Sequence, residues 1–124
     1  MLRIGIARYL VNDVEGAIAF YTEQLGFSLD RKMGPAFALV SRGDLTLWLS
    51  GPQSSAARPM PDGRRPEPGG WNRIVLVVEN IEAKTEELKR AGVSFRNEVV
   101  TGPGGKQILL EDPAGNVVEL FEPA

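Results

Sequence analysis

The 124-residue sequence contains no cysteine and no histidine. It therefore has no thiolate nucleophile, disulfide, imidazole base or imidazole ligand, and no Ser-His or Cys-His pair. Acid or base chemistry falls to carboxylates, lysines and tyrosines, which need shifted pKa values to act near neutrality, and any metal would have oxygen ligands. One charged residue stands out by its position. In GWNRIVLVVEN, Arg73 heads the apolar run Ile74 to Val78 and shares strand parity with Val75 and Val77. What this guanidinium faces is the central functional question.

The elements that position it come from a repeat. IARYLVNDVEGAIAFYTEQLGF, beginning at Ile6, falls on RIVLVVENIEAKTEELKRAGV, beginning at Arg73, with one deletion in the helix. Each half opens with a strand and then a helix. In the first helix Val14, Ala17, Ile18, Tyr21 and Leu25 recur at helical spacing, Asn12 or Asp13 can cap it, and Gly26 supplies a left-handed stop. The second carries a thinner stripe of Ile81, Leu88 and Ala91, with Asn80 before it, Gly92 after it and a Glu86 to Arg90 pair outside. Short strands follow each helix: FSLDRK, AFALVSR and LTLWLS, then VSFRNEVV, KQILLE and NVVELFE, separated by the turns RGD, TGPGG and DPAG. The expected unit is β-α-β-β-β, twice, in an α+β fold. Such short repeats cannot bury a sheet alone and must combine, within one chain or between two.

Length and composition predict one domain, residues 1–124, made of repeat one (1–52), a linker (53–70) and repeat two (71–124). There is no run of 18 apolar residues and no export signal at the start, so a soluble cytoplasmic protein is expected. A net charge of −2 with interspersed signs gives no basic footprint for nucleic acid and no polybasic patch for membrane. The expected partners are a small organic molecule and a second copy of the chain.

DVEGAIAFYTEQLGF followed much later by EDPAGNVVELFEP, inside this duplicate, resembles the vicinal oxygen chelate superfamily, which contains glyoxalase I, bleomycin resistance proteins and extradiol dioxygenases. The resemblance covers nearly the whole chain. It implies curved mixed sheets that form cups, ligand binding inside the cup, and a homodimer. Metal-dependent relatives place ligands on the first and last strand of each half. Carried over by alignment, those positions are Ile6, Leu47, Arg73 and Glu119. Only Glu119 can ligate a cation, because isoleucine and leucine lack donors and arginine is permanently cationic. The expectation is no metal and no cofactor, and hence neither the usual glyoxalase mechanism nor the iron dioxygenase mechanism.

If Arg73 and Glu119 face the cup, so do Arg8 and Phe121, while Ile74, Leu76, Val78, Val118 and Leu120 turn toward the helices. Arg73 then either neutralises Glu119 in a salt bridge or meets an anionic ligand group, and a ligand that competes for one partner reconciles the two.

Residues 50–72 are rich in proline and glycine and carry Arg58, Arg64 and Arg65. They read as a linker, or as a flap in which Met60 and Trp71 offer apolar contact. Trp71 is the expected ligand-stacking aromatic, whereas Trp48 has helix-side parity and reads as core. Phe37, Phe95 and Phe121 lie near strand ends, where an aromatic more often packs than recognises a ligand. TGPGGKQ fails the phosphate-loop pattern and reads as a strand connection. Arg96 and Asn97 either project into the cup or fringe an exposed strand, with the fringe favoured. Asp112, with Pro113 and Gly115, reads as a turn.

Two functions follow. The first is a metal-free small-molecule binding protein, similar to antibiotic-sequestering resistance proteins, that takes an antibiotic or metabolite with Ile6, Arg8, Leu47, Arg73, Glu119, Phe121, Trp71 and Met60 as ligand-binding residues. The second is an enzyme of lyase or isomerase type with Glu119 as general base and Arg73 holding a carboxylate or enolate oxygen.

Overall fold

A computed structural model describes all residues, Met1–Ala124. The chain divides into two compact units, Met1–Pro68 and Gly69–Ala124. The segment expected as a linker thus lies almost wholly within the first unit. No helix is long and apolar enough to cross a membrane.

In the first unit, β1 (Ala7–Leu10) leads to α1 (Val14–Ala19), which continues as a π-helical turn over Phe20–Gln24. Strands β2 (Ser28–Met33), β3 (Phe37–Arg42) and β4 (Leu45–Ser50) complete a sheet of order β1-β4-β3-β2. β1 runs parallel to β4, and the other pairings are antiparallel, because the helix returns the chain for a parallel crossover while tight turns join the rest. The wider π turn buries Tyr21 completely, edge-on to Tyr9, Phe20 and Phe27. Asp13 occupies the N-cap but makes no side-chain cap hydrogen bond; the first turn relies on the Ala17 amide donating to Asp13 O. Gly26 adopts the expected positive φ of 74°.

The second unit repeats the plan. β5 (Ile74–Val77) leads to α2 (Ile81–Arg90) and, with β6 (Ser94–Phe95), β7 (Val100–Gly102), β8 (Gly105–Glu111) and β9 (Val117–Pro123), forms a sheet of order β5-β9-β8-β6, with β7 also on β8. Here β6 and β7 divide the edge that β2 fills alone in the first unit, while β8 and β9 form the central hairpin. Asn80 caps α2 as expected, its side-chain oxygen accepting from the Ala83 amide at 3.0 Å. The Glu86 to Arg90 pair does not form; Lys84 bonds Glu87 at 2.5 Å instead.

Strand alternation sorts the second sheet cleanly. Ile74, Leu76, Val118 and Leu120 are buried on the helix side, and Val75 and Val77 are exposed on the other. TGPGG is the β7–β8 connection. A Cβ at Gly105 would lie 2.1 Å from the Glu122 carbonyl, so close backbone packing explains that glycine.

Candidate functional site

Arg73 stands one residue before β5, and its Nε and Nη2 both reach Glu119 Oε1 at 3.0 Å. Glu119 lies across from Val75 on one side and Leu109 on the other, and is only 7% exposed. A carboxylate buried between apolar neighbours needs a compensating charge, and the guanidinium supplies it. Glu119 Oε2 receives no hydrogen bond from the protein and is not sealed from solvent. Arg73 Nη1 also donates to the Trp71 carbonyl at 3.2 Å. The next row on this face runs Val77, Phe121, Gln107, Val100, with Phe121 half-buried.

Trp71 is 67% exposed and covers the Arg96 guanidinium, 4.5 Å from ring centre to Cζ. Arg96 is not a fringe residue. Its Nε bonds Glu111 at 2.6 Å, Nη1 the Gly70 carbonyl at 2.8 Å and Nη2 the Gly115 carbonyl at 3.0 Å. The Gly69 amide donates to Asn116, whose side-chain amide is held by Asp112. The segment entering β5 is thereby tied to the β8–β9 turn, and Asp112 serves that turn by accepting from the Ala114 and Asn116 amides. Asn97 accepts from the Leu109 amide, a structural role as well.

In the first unit the strand register corrects one expected position. β1 places Arg8 beside Trp48, as β5 places Val75 beside Glu119, so the counterpart of Glu119 is Trp48 and not Leu47. Leu47 is fully buried on the opposite face, in the core where Trp48 was expected. The Arg8 guanidinium lies 4.8 Å from the Trp48 ring and 5.9 Å from that of Phe37, and donates to Ser50 Oγ at 3.3 Å. Phe37 and Trp48 meet edge to face. Ile6 precedes β1 and is exposed. Met60 is exposed in a turn closed by its own amide on Arg64 O.

The residues do not suit the metal that some relatives hold. Of Ile6, Trp48, Arg73 and Glu119 only one is a cation ligand, it is engaged by an arginine, and no three acidic, cysteine or histidine side chains gather anywhere in the chain.

The family model described as "Glyoxalase/Bleomycin resistance protein/Dioxygenase superfamily" matches residues 3–120. Mitochondrial methylmalonyl-CoA epimerase of Homo sapiens is 28% identical over 127 residues, covering 95% of this chain and 72% of the epimerase. TnmS3, an antibiotic binding protein from Streptomyces sp. CB03234, superposes with a TM-score of 0.70 at 26% identity, over 100% of this chain and 99% of that one. Lactoylglutathione lyase from Agrobacterium tumefaciens, at 20% identity and a TM-score of 0.74 over 98% and 94% of the chains, shares the fold. With its duplicated β-α-β-β-β plan and a match over nearly its full length, the chain belongs to the Glyoxalase/Bleomycin resistance protein/Dioxygenase superfamily.

Proposed function

We propose that this protein binds a small organic molecule without a metal, sequestering an antibiotic or metabolite. The observation that carries the reading is the Arg73–Glu119 pair. The one carboxylate at a position where metal-dependent relatives place ligands is held by a cation, on a face that also carries Val75, Val77, Leu109, Phe121 and the polar Gln107. Apolar walls with a few convergent polar groups are the usual form of a small-molecule site. Likeness to an antibiotic binding protein over the whole chain supports the same direction. Ile6, Arg8, Phe121, Trp71 and Met60 remain proposed contacts on their respective units, and Trp48 takes the place of Leu47.

The test is native mass spectrometry of untagged protein with and without divalent metals. Metal-free protein carrying an organic adduct that Arg73→Leu releases is the expected result. A stoichiometric metal retained through desalting overturns it. The same spectrum reports whether the chain forms the homodimer that we also propose.

A second reading is catalytic. Glu119 Oε2 is free, and the epimerase is similar over most of this chain. Here Glu119 acts as general base and Arg73 holds a carboxylate or enolate oxygen. Full activity of Glu119→Gln on any substrate found would exclude this role.

A further inference from the structure

On the first sheet the strand registers align Arg8, Trp48, Leu39 and Arg31 in one row across β1, β4, β3 and β2. Beside it runs a second row of Leu10, Ser50, Phe37 and Met33. Residues directly opposite in register point to the same face, so this surface carries two arginines around an aromatic and aliphatic floor. Three inter-strand steps of about 4.8 Å separate the Arg8 and Arg31 backbones by roughly 14 Å.

The face is short of acceptors. Every ion pair in the chain involves other residues, so neither Arg8 nor Arg31 meets a carboxylate. Arg8 has one long hydrogen bond, to Ser50, and Trp48 Nε1 is buried with no acceptor at all. The second sheet differs in this respect, since Arg73 and Arg96 are both neutralised there by Glu119 and Glu111. A guanidinium that stacks on an aromatic ring keeps its in-plane N–H groups directed outward, in the fork geometry that matches a carboxylate.

We propose that this face binds a planar aromatic acid, with Arg8 holding one carboxylate, Phe37 and Trp48 supporting the ring system, and Arg31 receiving a second acidic group at the far end. The assignment rests on the reading of the chain as a small-molecule binder and names the ligand class. An elongated diacid fits the spacing of the two cations and meets donors that the protein leaves open.

Calorimetric titration of the full-length chain with three naphthalene probes tests it: an alcohol, a monocarboxylate and a dicarboxylate with acids at opposite ends. The expected order is dicarboxylate, monocarboxylate, alcohol, with steps of about tenfold, the size of one charge-assisted contact. Arg8→Gln should cost both acids about tenfold, and Arg31→Gln only the diacid. Equal binding of alcohol and acids, or acid affinity unchanged in Arg8→Gln, overturns the ligand class while leaving small-molecule binding intact. No binding by any probe also overturns the class, whereas the broader reading stands or falls on the co-purified adduct.

Discussion

The guanidinium of Arg96 lies 4.5 Å beneath the ring of Trp71 while its three nitrogens bond Glu111, Gly70 and Gly115. One side chain therefore joins the segment entering β5, the β6 edge and the β8–β9 turn. Removing it strands Glu111 and two carbonyls together. Arg96→Ala should cost about 2–3 kcal/mol in urea unfolding. Arg96→Lys should recover less than half of that, because an ammonium cannot reproduce the planar fork or the stack.

The Arg73–Glu119 pair calls for a double-mutant cycle. With Glu119 nearly buried and Arg73 about a quarter exposed, Arg73→Leu leaves a poorly solvated carboxylate and should destabilise by about 1–3 kcal/mol. Replacing both by leucine should restore most of the loss, since Val75 and Leu109 already flank the site. A double-variant loss equal to the sum of the two single losses would mean that the pair is not coupled.

The two helix starts look alike in sequence and behave differently. Asn80 accepts a hydrogen bond from Ala83, and Asp13 makes none from its side chain. Asn80→Ala should therefore cost about 1 kcal/mol and Asp13→Ala only a few tenths, both read from thermal or chemical melts.

The duplicated plan was legible because its signals are local: apolar spacing on the helices, glycine stops at Gly26 and Gly92, and turn residues between strands. That Arg73 and Glu119 meet followed from the positions carried over by the family resemblance, and alternation only extended their face to Phe121. The facing of β4 was legible in LTLWLS, where Leu45, Leu47 and Leu49 share one parity and Thr46, Trp48 and Ser50 the other, but the repeat alignment, one residue out of phase there, made Leu47 the counterpart of Glu119. The helix-ward burial of Leu47 and Leu49 corrects that pairing. Arg96 was undervalued for a different reason. Two of its partners are backbone carbonyls of Gly70 and Gly115, far away in sequence, and nothing in FRNE points to them. Arg31 likewise gains its place only once β2 is registered on β3 across a bulge at Leu29/Arg31.

Glu87 offers a pH-dependent test. The Lys84 ammonium, through its hydrogen bond first and its charge second, holds the Glu87 carboxyl below its ordinary value. A carboxylate with a depressed folded pKa adds stability above its unfolded pKa and loses it as pH falls through the folded one. The melting temperature of Glu87→Gln should thus lie slightly below that of the parent near neutral pH. The gap should close in acid and shrink in high salt, because the pair is exposed.

Leu47 and Trp48 are neighbours with opposite duties, and substituting each separates packing from recognition. Leu47 is fully buried, so Leu47→Ala should open a core cavity and cost about 2–5 kcal/mol. Ligand affinity of the protein that remains folded should be unchanged. Trp48 is partly exposed beside Arg8, and Trp48→Leu keeps an apolar floor while removing the aromatic face on which the guanidinium rests. It should weaken binding of the naphthalene carboxylate severalfold, with a smaller loss of stability than Leu47→Ala. Unfolding curves and calorimetric titration of both variants check this. If Leu47→Ala instead weakens binding and Trp48→Leu does not, the open face has been assigned to the wrong strand parity.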